Sequence, residues 1–256
     1  MDIDNLSDLE LFFEHSPDLI CVAGFDGYFR KINSAVCKTL GYTEEELFSK
    51  PINSFIYSED KQVTSIRREN ILAGYVLTNF DNRYVTKTGE LIWLTWTSVP
   101  IPGKDVIFAI AKNITYRKKI EEYKRISNIL IHGEEPQDPT EVSEDFITLS
   151  PADQLWLSEV ERLIRKYSGA IDITVAMLSD ELAMSERQLF RRIKGTVGLT
   201  PNRYIRIIKL QMAKEAIKTG KFRTLAEISF VAGFKTPAYF NKLFKDVYGA
   251  DIAALI

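Results

Sequence analysis

The strongest constraint in this chain is a pattern that occurs twice between Ile173 and Tyr248. In each copy a short helix leads through a tight turn into a second helix that opens on a hydroxyl residue. The first copy reads ITVAMLSDELAM, then Ser185-Glu186-Arg187-Gln188-Leu189-Phe190-Arg191-Arg192-Ile193-Lys194. The second reads TLAEISFVAGF, with Gly233 in the turn, then a helix from Thr236-Pro237 to Lys245. One longer helix, Pro201 to Lys218, lies between them. Ser185 with Gln188, and Thr224 with Glu227, have capping-box spacing, which satisfies the unpaired N–H groups of a helix start reciprocally. Thr200-Pro201 and Thr236-Pro237 each put a hydroxyl at the cap and proline at the first helical position, where its missing N–H costs nothing.

Helical spacing sorts the faces of these elements. Leu189 and Ile193 turn to a core, while Arg187, Phe190, Arg191 and Lys194 fall at i, i+3, i+4 and i+7 as one outward stripe. In the second copy Phe240, Leu243, Phe244 and Val247 form the inward stripe, leaving Ala238, Asn241, Lys242 and Lys245 outward. Cations around one aromatic suit the major groove of duplex DNA. Arg donates two bonds to guanine, Lys neutralises phosphate, and Phe touches a thymine methyl. The joining helix spans roughly 27 Å at 1.5 Å per residue. With helix widths added, that would hold two reading helices about one DNA turn, roughly 34 Å, apart. A helical bundle with ordinary solvated charge is the competing reading, and two matched, capped units weigh against it.

The stretches SERQLFRRIKGTVGLTPNRYI, IKLQMAKEAI and LAEISFVAGFKTPAYFNKLFKDVYG resemble the AraC family of bacterial transcription regulators, from about Ser150 onward. The resemblance implies contact with two successive major grooves. By position it implies base-facing Arg187, Phe190 and Arg191, then Pro237, Ala238, Tyr239 and Lys242. Together, the residues expected on DNA are Arg187, Phe190, Arg191, Lys194, Tyr239, Asn241, Lys242 and Lys245. The chain departs from the family twice. Ile252 stands where proline is usual, and Pro237 and Ala238 offer no side-chain hydrogen bonds, so the second unit is expected mostly to grip backbone.

The charge distribution agrees. The 256 residues carry a net −2. Residues 1–149 hold 16 Lys and Arg against 24 Asp and Glu, net −8, and residues 150–256 hold 17 against 11, net +6. The basic half attracts a polyanion and the acidic half does not. The two cysteines, Cys21 and Cys37, lie in apolar surroundings with no metal-ligand spacing, so they read as small buried hydrophobes. MDIDNLSDLE lacks a basic-then-apolar signal pattern, and no apolar run approaches ~18 residues, so a soluble cytoplasmic protein with no membrane partner is expected.

The acidic half has a different periodicity. Leu6 to His15 reads as a short helix, and Leu19 to Gly24 as a buried strand turned by Asp26-Gly27 into a second strand, Tyr28 to Ile32. Asn33 is placed to cap a helix ending at Leu40 and Gly41. Thr43 opens another short helix, and Ser58-Glu59-Asp60 opens a third, with Val63, Ile66 and Ile71 as its apolar side and Gly74 as its stop. Three strands follow, Leu77 to Lys87, Leu91 to Val99 and Val106 to Asn113, with Thr88-Gly89 and Pro102-Gly103 between them. The order predicts an α+β domain with a five-stranded antiparallel sheet and helices on one face, able to enclose a pocket. Trp93 and Trp96 must lie on opposite faces, so only one reaches such a pocket, and core or dimer packing is the favoured role for both.

HSPDLICVAGFDGYFRKINSAVCKTLGYTEEEL, NRYVTKTGELIWLTWTSVP and FAIAKNITYRKKIEE resemble a PAS sensor domain, with Asn113 in place of Asp in an Asp-Ile-Thr ending. No cofactor signature is recognisable. No histidine lies between Gly41 and Gly74 where the family's haem binders carry one, the flavin-binding Asn-Cys-Arg-Phe-Leu-Gln segment is absent, and His15 reads as a surface or cap residue.

The divisions expected are a PAS-like domain at 1–122, a helical connector and acidic hinge at 123–149, and an all-α domain with two helix-turn-helix units at 150–256. In the connector helix, Tyr116 to Ile131, Ile120, Tyr123, Ser127 and Leu130 take approximate a and d places, leaving a short coiled coil and a solvated helix both open. Pro136 and Pro139 mark the hinge, and the helix Pro151 to Tyr167 offers Leu155, Val160, Leu163 and Ile164 to a core. His132 after such a helix suggests a sensor kinase, but a DNA-binding half occupies the place of an ATP-binding domain. No catalytic dyad or nucleophile motif is visible, and the chain reads as a non-enzymatic regulator whose PAS-like half either senses a signal or serves as a ligand-free docking module. Expected partners are double-stranded DNA, a second copy through the PAS-like domain and connector helix, and RNA polymerase.

Overall fold

The computed structural model describes residues 6–132 and 150–256, in two compact units, Met1–Thr115 and Tyr116–Ile256. The expected acidic hinge at 133–149 and the side chain of His132 lie outside the described residues.

The first unit runs α1 (Leu6–His15), β1 (Leu19–Gly24), β2 (Phe29–Ile32), α2 (Ser34–Leu40), α3 (Glu44–Phe48), α4 (Lys61–Leu72), β3 (Leu77–Val85), β4 (Leu91–Pro100) and β5 (Val106–Asn113). All pairings are antiparallel, in the order β2-β1-β5-β4-β3. The strands alternate as a half-covered sheet should. Leu19, Cys21, Ile92, Leu94, Trp96, Ala109 and Ala111 are buried on one face, and Trp93, Val99, Phe108 and Ile110 lie on the other. Trp96 is therefore the inward tryptophan, and its Nε1 donates to Asn82 Oδ1 at 3.0 Å.

Two sequence expectations fail here for physical reasons. Asn33 sits at the N-cap of α2 but makes no side-chain cap bond. Its amide is buried and cross-links other elements: Oδ1 accepts from the Ile20 N–H, and Nδ2 donates to the carbonyls of Phe13 and Asp18. Val63 and Ile66 are exposed, not packed. The face that α4 turns inward is Thr64, Arg68 and Ile71, with spacing i, i+4 and i+7, and two of its three residues are polar. Thr64 Oγ1 accepts from Asn82 Nδ2 at 3.1 Å, and Arg68 Nη2 donates to the carbonyls of Gly24 and Phe25 at 3.1 and 3.0 Å. A helix over solid core would need an apolar stripe here; this one borders a cavity of about 320 Å³.

The Asn113-Ile114-Thr115 ending works without a carboxylate. Asn113 Oδ1 accepts from both the N–H and the hydroxyl of Thr115, and Thr115 Oγ1 accepts from the Trp93 N–H.

The second unit runs α5 (Thr115–His132), α6 (Pro151–Tyr167), α7 (Val175–Glu181), α8 (Glu186–Val197), α9 (Pro201–Lys218), α10 (Leu225–Val231) and α11 (Pro237–Tyr248). Helix α5 does not behave as a separate connector. Ile120, Tyr123, Ile126 and Ile129 are buried in one core with Leu157, Val160, Leu163 and Ile164 of α6 and Tyr204 and Ile208 of α9. Its apolar side is thus consumed inside this unit, so α5 is neither of the two forms the sequence left open, a coiled-coil seam or a solvated helix. A buried carboxylate joins the same three helices. Glu161 accepts from the Tyr123 hydroxyl at 2.8 Å, the Tyr204 hydroxyl at 2.9 Å, and Lys119. Burial and the adjacent Glu161 charge push both tyrosines well up, so they stay donors. Leu155, expected in the core, is exposed; Leu157 takes that place.

Candidate nucleic-acid interface

The two helix-turn-helix units repeat in detail. Thr174 caps α7 by accepting from the Met177 N–H, and Thr224 caps α10 by accepting from the Glu227 N–H. In the first turn the Ala183 N–H bonds to the Asp180 carbonyl and the Met184 N–H to the Ser179 carbonyl; in the second, Gly233 bonds to Phe230 and Phe234 to Ser229. Every one of these pairs is 50 residues apart, whereas the caps of the second helices, Ser185 and Thr236, are 51 apart. The second turn therefore carries one extra residue, between Phe234 and the cap. Ala183 and Gly233 occupy the same left-handed turn position, with φ of 51° and 76°. An added Cβ on Gly233 would lie 3.2 Å from the Gly169 backbone nitrogen, so that turn has both a conformational and a steric need for glycine.

The Ser185–Gln188 and Thr224–Glu227 capping boxes are complete. The Thr200 and Thr236 hydroxyls, in contrast, make no cap bond, although proline follows each. Proline already presets φ and removes one unpaired N–H, so these helix starts do not depend on the hydroxyl.

Buried Leu189, Ile193 and Val197 anchor α8 in the core. Its outward side carries Arg187, Phe190, Arg191 and Lys194, all exposed, with the Lys194 ammonium 5.9 Å from the Phe190 ring centre. Helix α11 is fixed by Phe240, Leu243, Phe244 and Val247, with Phe240 stacked on Phe234 at 4.9 Å. Its outward side carries Ala238, Tyr239, Lys242 and Lys245, with Pro237 half-buried at the start. Asn241 departs from the expected stripe: it is half-buried, and Oδ1 accepts from the Ile252 N–H at 3.4 Å. Ile252, where the family has proline, is fully buried in the core. Asn241 thus ties α11 to the final turn, and its acceptor is occupied.

The charges of these faces are left available. Among the described residues, none of Arg187, Arg191, Lys194, Lys242 and Lys245 has a carboxylate within ion-pair reach. Arg162, Arg165, Arg192 and Lys235 of the same unit are paired with Glu159, Glu215, Asp153 and Asp172. Between the units, α9 holds the second turn directly: Lys209 Nζ donates to the Gly233 carbonyl at 2.9 Å, and burial lowers the pKa of that ammonium.

Sequence reasoning missed Glu161, Tyr204 and Lys209, and it placed Tyr123 on the apolar side of its helix without the carboxylate that its hydroxyl meets. A signal for Glu161 existed, since it lies among Leu157, Val160 and Ile164 on the apolar side of α6. Among the described residues no helix is long and apolar enough to cross a membrane, and no group of three or more His, Cys, Asp or Glu side chains is placed to hold a metal ion. Both cysteines are free, Cys21 buried with its thiol pushed up to about 12 by burial, Cys37 half-buried.

Comparison with known proteins separates the two units. Residues 29–108 match the family described as PAS fold, and residues 178–255 match the family described as helix-turn-helix domain. The transcriptional activator RhaS of Escherichia fergusonii is 32% identical over 72 residues, 28% of this chain and 26% of that protein. Histidine kinase P4 of Formosa agariphila is 33% identical over 99 residues, 39% of this chain and 7% of that protein. A solved PAS domain of an HTR-like protein from Haloarcula marismortui is 27% identical, covering 42% of this chain and 90% of that one, with a TM-score of 0.37. The chain thus spans only 7% and 26% of the lengths of these two curated relatives. It carries a PAS fold in its first unit and a helix-turn-helix domain of the AraC type in its second.

Proposed function

We propose that this chain is a non-enzymatic transcription regulator of a bacterial cytoplasm, in which the second unit binds double-stranded DNA and the first receives the input. The observation that carries this reading is the pair of matched helix-turn-helix units whose outward cations have no carboxylate partner among the described residues. In the reading, α8 and α11 enter successive major grooves, and Arg187, Phe190 and Arg191 discriminate bases. Lys194, Lys242 and Lys245 neutralise phosphate, and Tyr239 packs on the backbone. Similarity to proteins named as transcriptional activators supports it. RNA polymerase is the further partner of a regulator that activates. Input reaches the DNA-binding core through the chain itself, since Ile114 alone separates β5 from α5 and α5 belongs to that core. Gel-shift on promoter fragments tests the reading; no preference over competitor DNA, with or without added ligands, would defeat it.

A second reading of the first unit, as a dimerisation module, is favoured by one observation. The outer sheet face exposes Phe108 and Ile110 beside Val99, and α1 exposes Leu9, Leu11 and Phe12. Phe108→Glu combined with Ile110→Glu should convert a dimer to monomer in analytical ultracentrifugation. A wild-type chain that is monomeric at assay concentrations removes this reading.

A further inference from the structure

The cavity between α4 and the sheet in the first unit has walls chosen for a particular kind of molecule. Its volume, about 320 Å³, falls in the range of small-molecule sites. Phe29, Ile56, Ile71, Trp96 and Ile107 make most of the lining apolar. The wall also carries Asp26, which is paired with Arg30, and Ser65, which donates to the Lys61 carbonyl; the buried polar groups facing the sheet behave in two ways. Asn82, Thr64 and the Trp96 indole satisfy one another. The hydroxyls of Tyr84 and Ser98 do not: both residues are over nine-tenths buried, both line the cavity, and among the described residues neither hydroxyl has a hydrogen-bond partner. Both hydroxyl oxygens open into the cavity rather than being sealed in the protein, so a bound molecule can pair with them in place of water. Burial pushes the Tyr84 hydroxyl well up, which keeps it a donor.

Arg68 supplies the third feature. It is half-buried and lines the cavity, and its Nη2 bonds only to two neutral carbonyls, Gly24 and Phe25. No carboxylate lies within ion-pair reach of it among the described residues. Arg83 is compensated by Asp60 and Glu59 and Arg30 by Asp26, whereas Arg67, the other arginine on the cavity wall, is exposed and lies over the Phe80 ring. A partly desolvated guanidinium with neutral partners is a site for an anion, and it holds carboxylates best because its fork matches them.

We propose that this cavity binds a small apolar carboxylic acid bearing a second polar group, with the carboxylate toward Arg68, the body against Trp96 and Phe29, and the second group met by Tyr84 and Ser98. The proposal rests on the reading of the first unit as the receiving half, and it names the class of input.

The test uses the full chain and three acids, 4-hydroxyphenylacetate, indole-3-acetate and octanoate, each beside its amide. Calorimetry and tryptophan fluorescence should show 4-hydroxyphenylacetate or indole-3-acetate binding at least about tenfold tighter than the matching amide, and tighter than octanoate, which lacks the second polar group. Arg68→Gln should remove the preference for acid over amide. Because Arg68 also holds the β1–β2 turn, Ala109→Leu serves as a second variant that fills the cavity from the sheet side; it should abolish acid binding while the melting transition persists. Amides bound as tightly as acids, or none of the three acids bound, would overturn the proposal. Duplex binding measured on the same preparation separates the two claims: retained DNA preference without acid binding sinks only the ligand class, and acid binding without DNA preference sinks only the regulator.

Discussion

Glu161→Ala should destabilise the second unit by about 3–5 kcal/mol, as expected when one member of a buried, hydrogen-bonded charged group is removed. The carboxylate is buried and accepts from two tyrosine hydroxyls that are themselves buried. Its loss leaves both hydroxyls without an acceptor, at roughly 1–3 kcal/mol each. The Lys119 share is smaller, because that ammonium is about a third exposed and water replaces part of the interaction. Removing the donors is milder. Tyr123→Phe should cost about 1–2 kcal/mol, since Glu161 keeps Tyr204 and Lys119. Urea unfolding followed by tyrosine fluorescence measures both, and the double variant Glu161→Ala with Tyr123→Phe should lose less than the sum of the singles. Simple additivity would show that the three groups do not act as a network. The functional consequence is specific, because Tyr123 belongs to the helix that leaves the first unit and Glu161 and Tyr204 belong to the core of the helix-turn-helix unit. Partial loosening of α5 should therefore alter DNA affinity before the unit unfolds.

Arg191→Ala should weaken binding to a specific operator by about 1–3 kcal/mol and relax sequence preference under α8. The side chain is exposed on the outward face of α8, on a helix held rigidly by buried Leu189 and Ile193, so its loss should leave folding nearly unchanged. Lys242→Ala and Lys245→Ala should behave differently. Pro237 and Ala238 give α11 no hydrogen-bonding side chain at its start, and Asn241 spends its acceptor on Ile252. That leaves Tyr239 and two lysines, a set suited to backbone. Each lysine variant should reduce affinity about equally on specific and random duplexes and lower the salt dependence by about one charge. Fluorescence anisotropy at several salt concentrations on both duplexes resolves the two behaviours. An equal loss on both duplexes for Arg191→Ala would assign that arginine to phosphate.

Legibility differed by kind of feature. The five strands, α1, α6 and α9 were legible almost to the residue, because each is bounded by local signals such as Asp26-Gly27, Ser150-Pro151 or Thr200-Pro201. The outward stripe of α8 was equally legible, since one helical period separates core from surface. Two expectations failed, and one open alternative was decided, for a shared reason. Val63, Ile66 and Ile71 were grouped as the apolar side of α4, Asn33 was expected to cap, and α5 was left between a coiled coil and a solvated helix; each outcome turned on partners outside the local pattern.

The sequence alone was therefore sufficient for the order of elements, the division into an acidic PAS-like half and a basic helix-turn-helix half, and the faces of the reading helices. These follow from periodicity, capping residues and charge, which act over a few neighbouring positions. It was insufficient for the cavity, whose inward helix face is polar, and for the allegiance of α5, whose Tyr123 meets a carboxylate 38 residues away. Burial of a polar group becomes favourable only when its partners arrive from other elements, and those partners are brought together by the packed fold and by nothing in the local pattern.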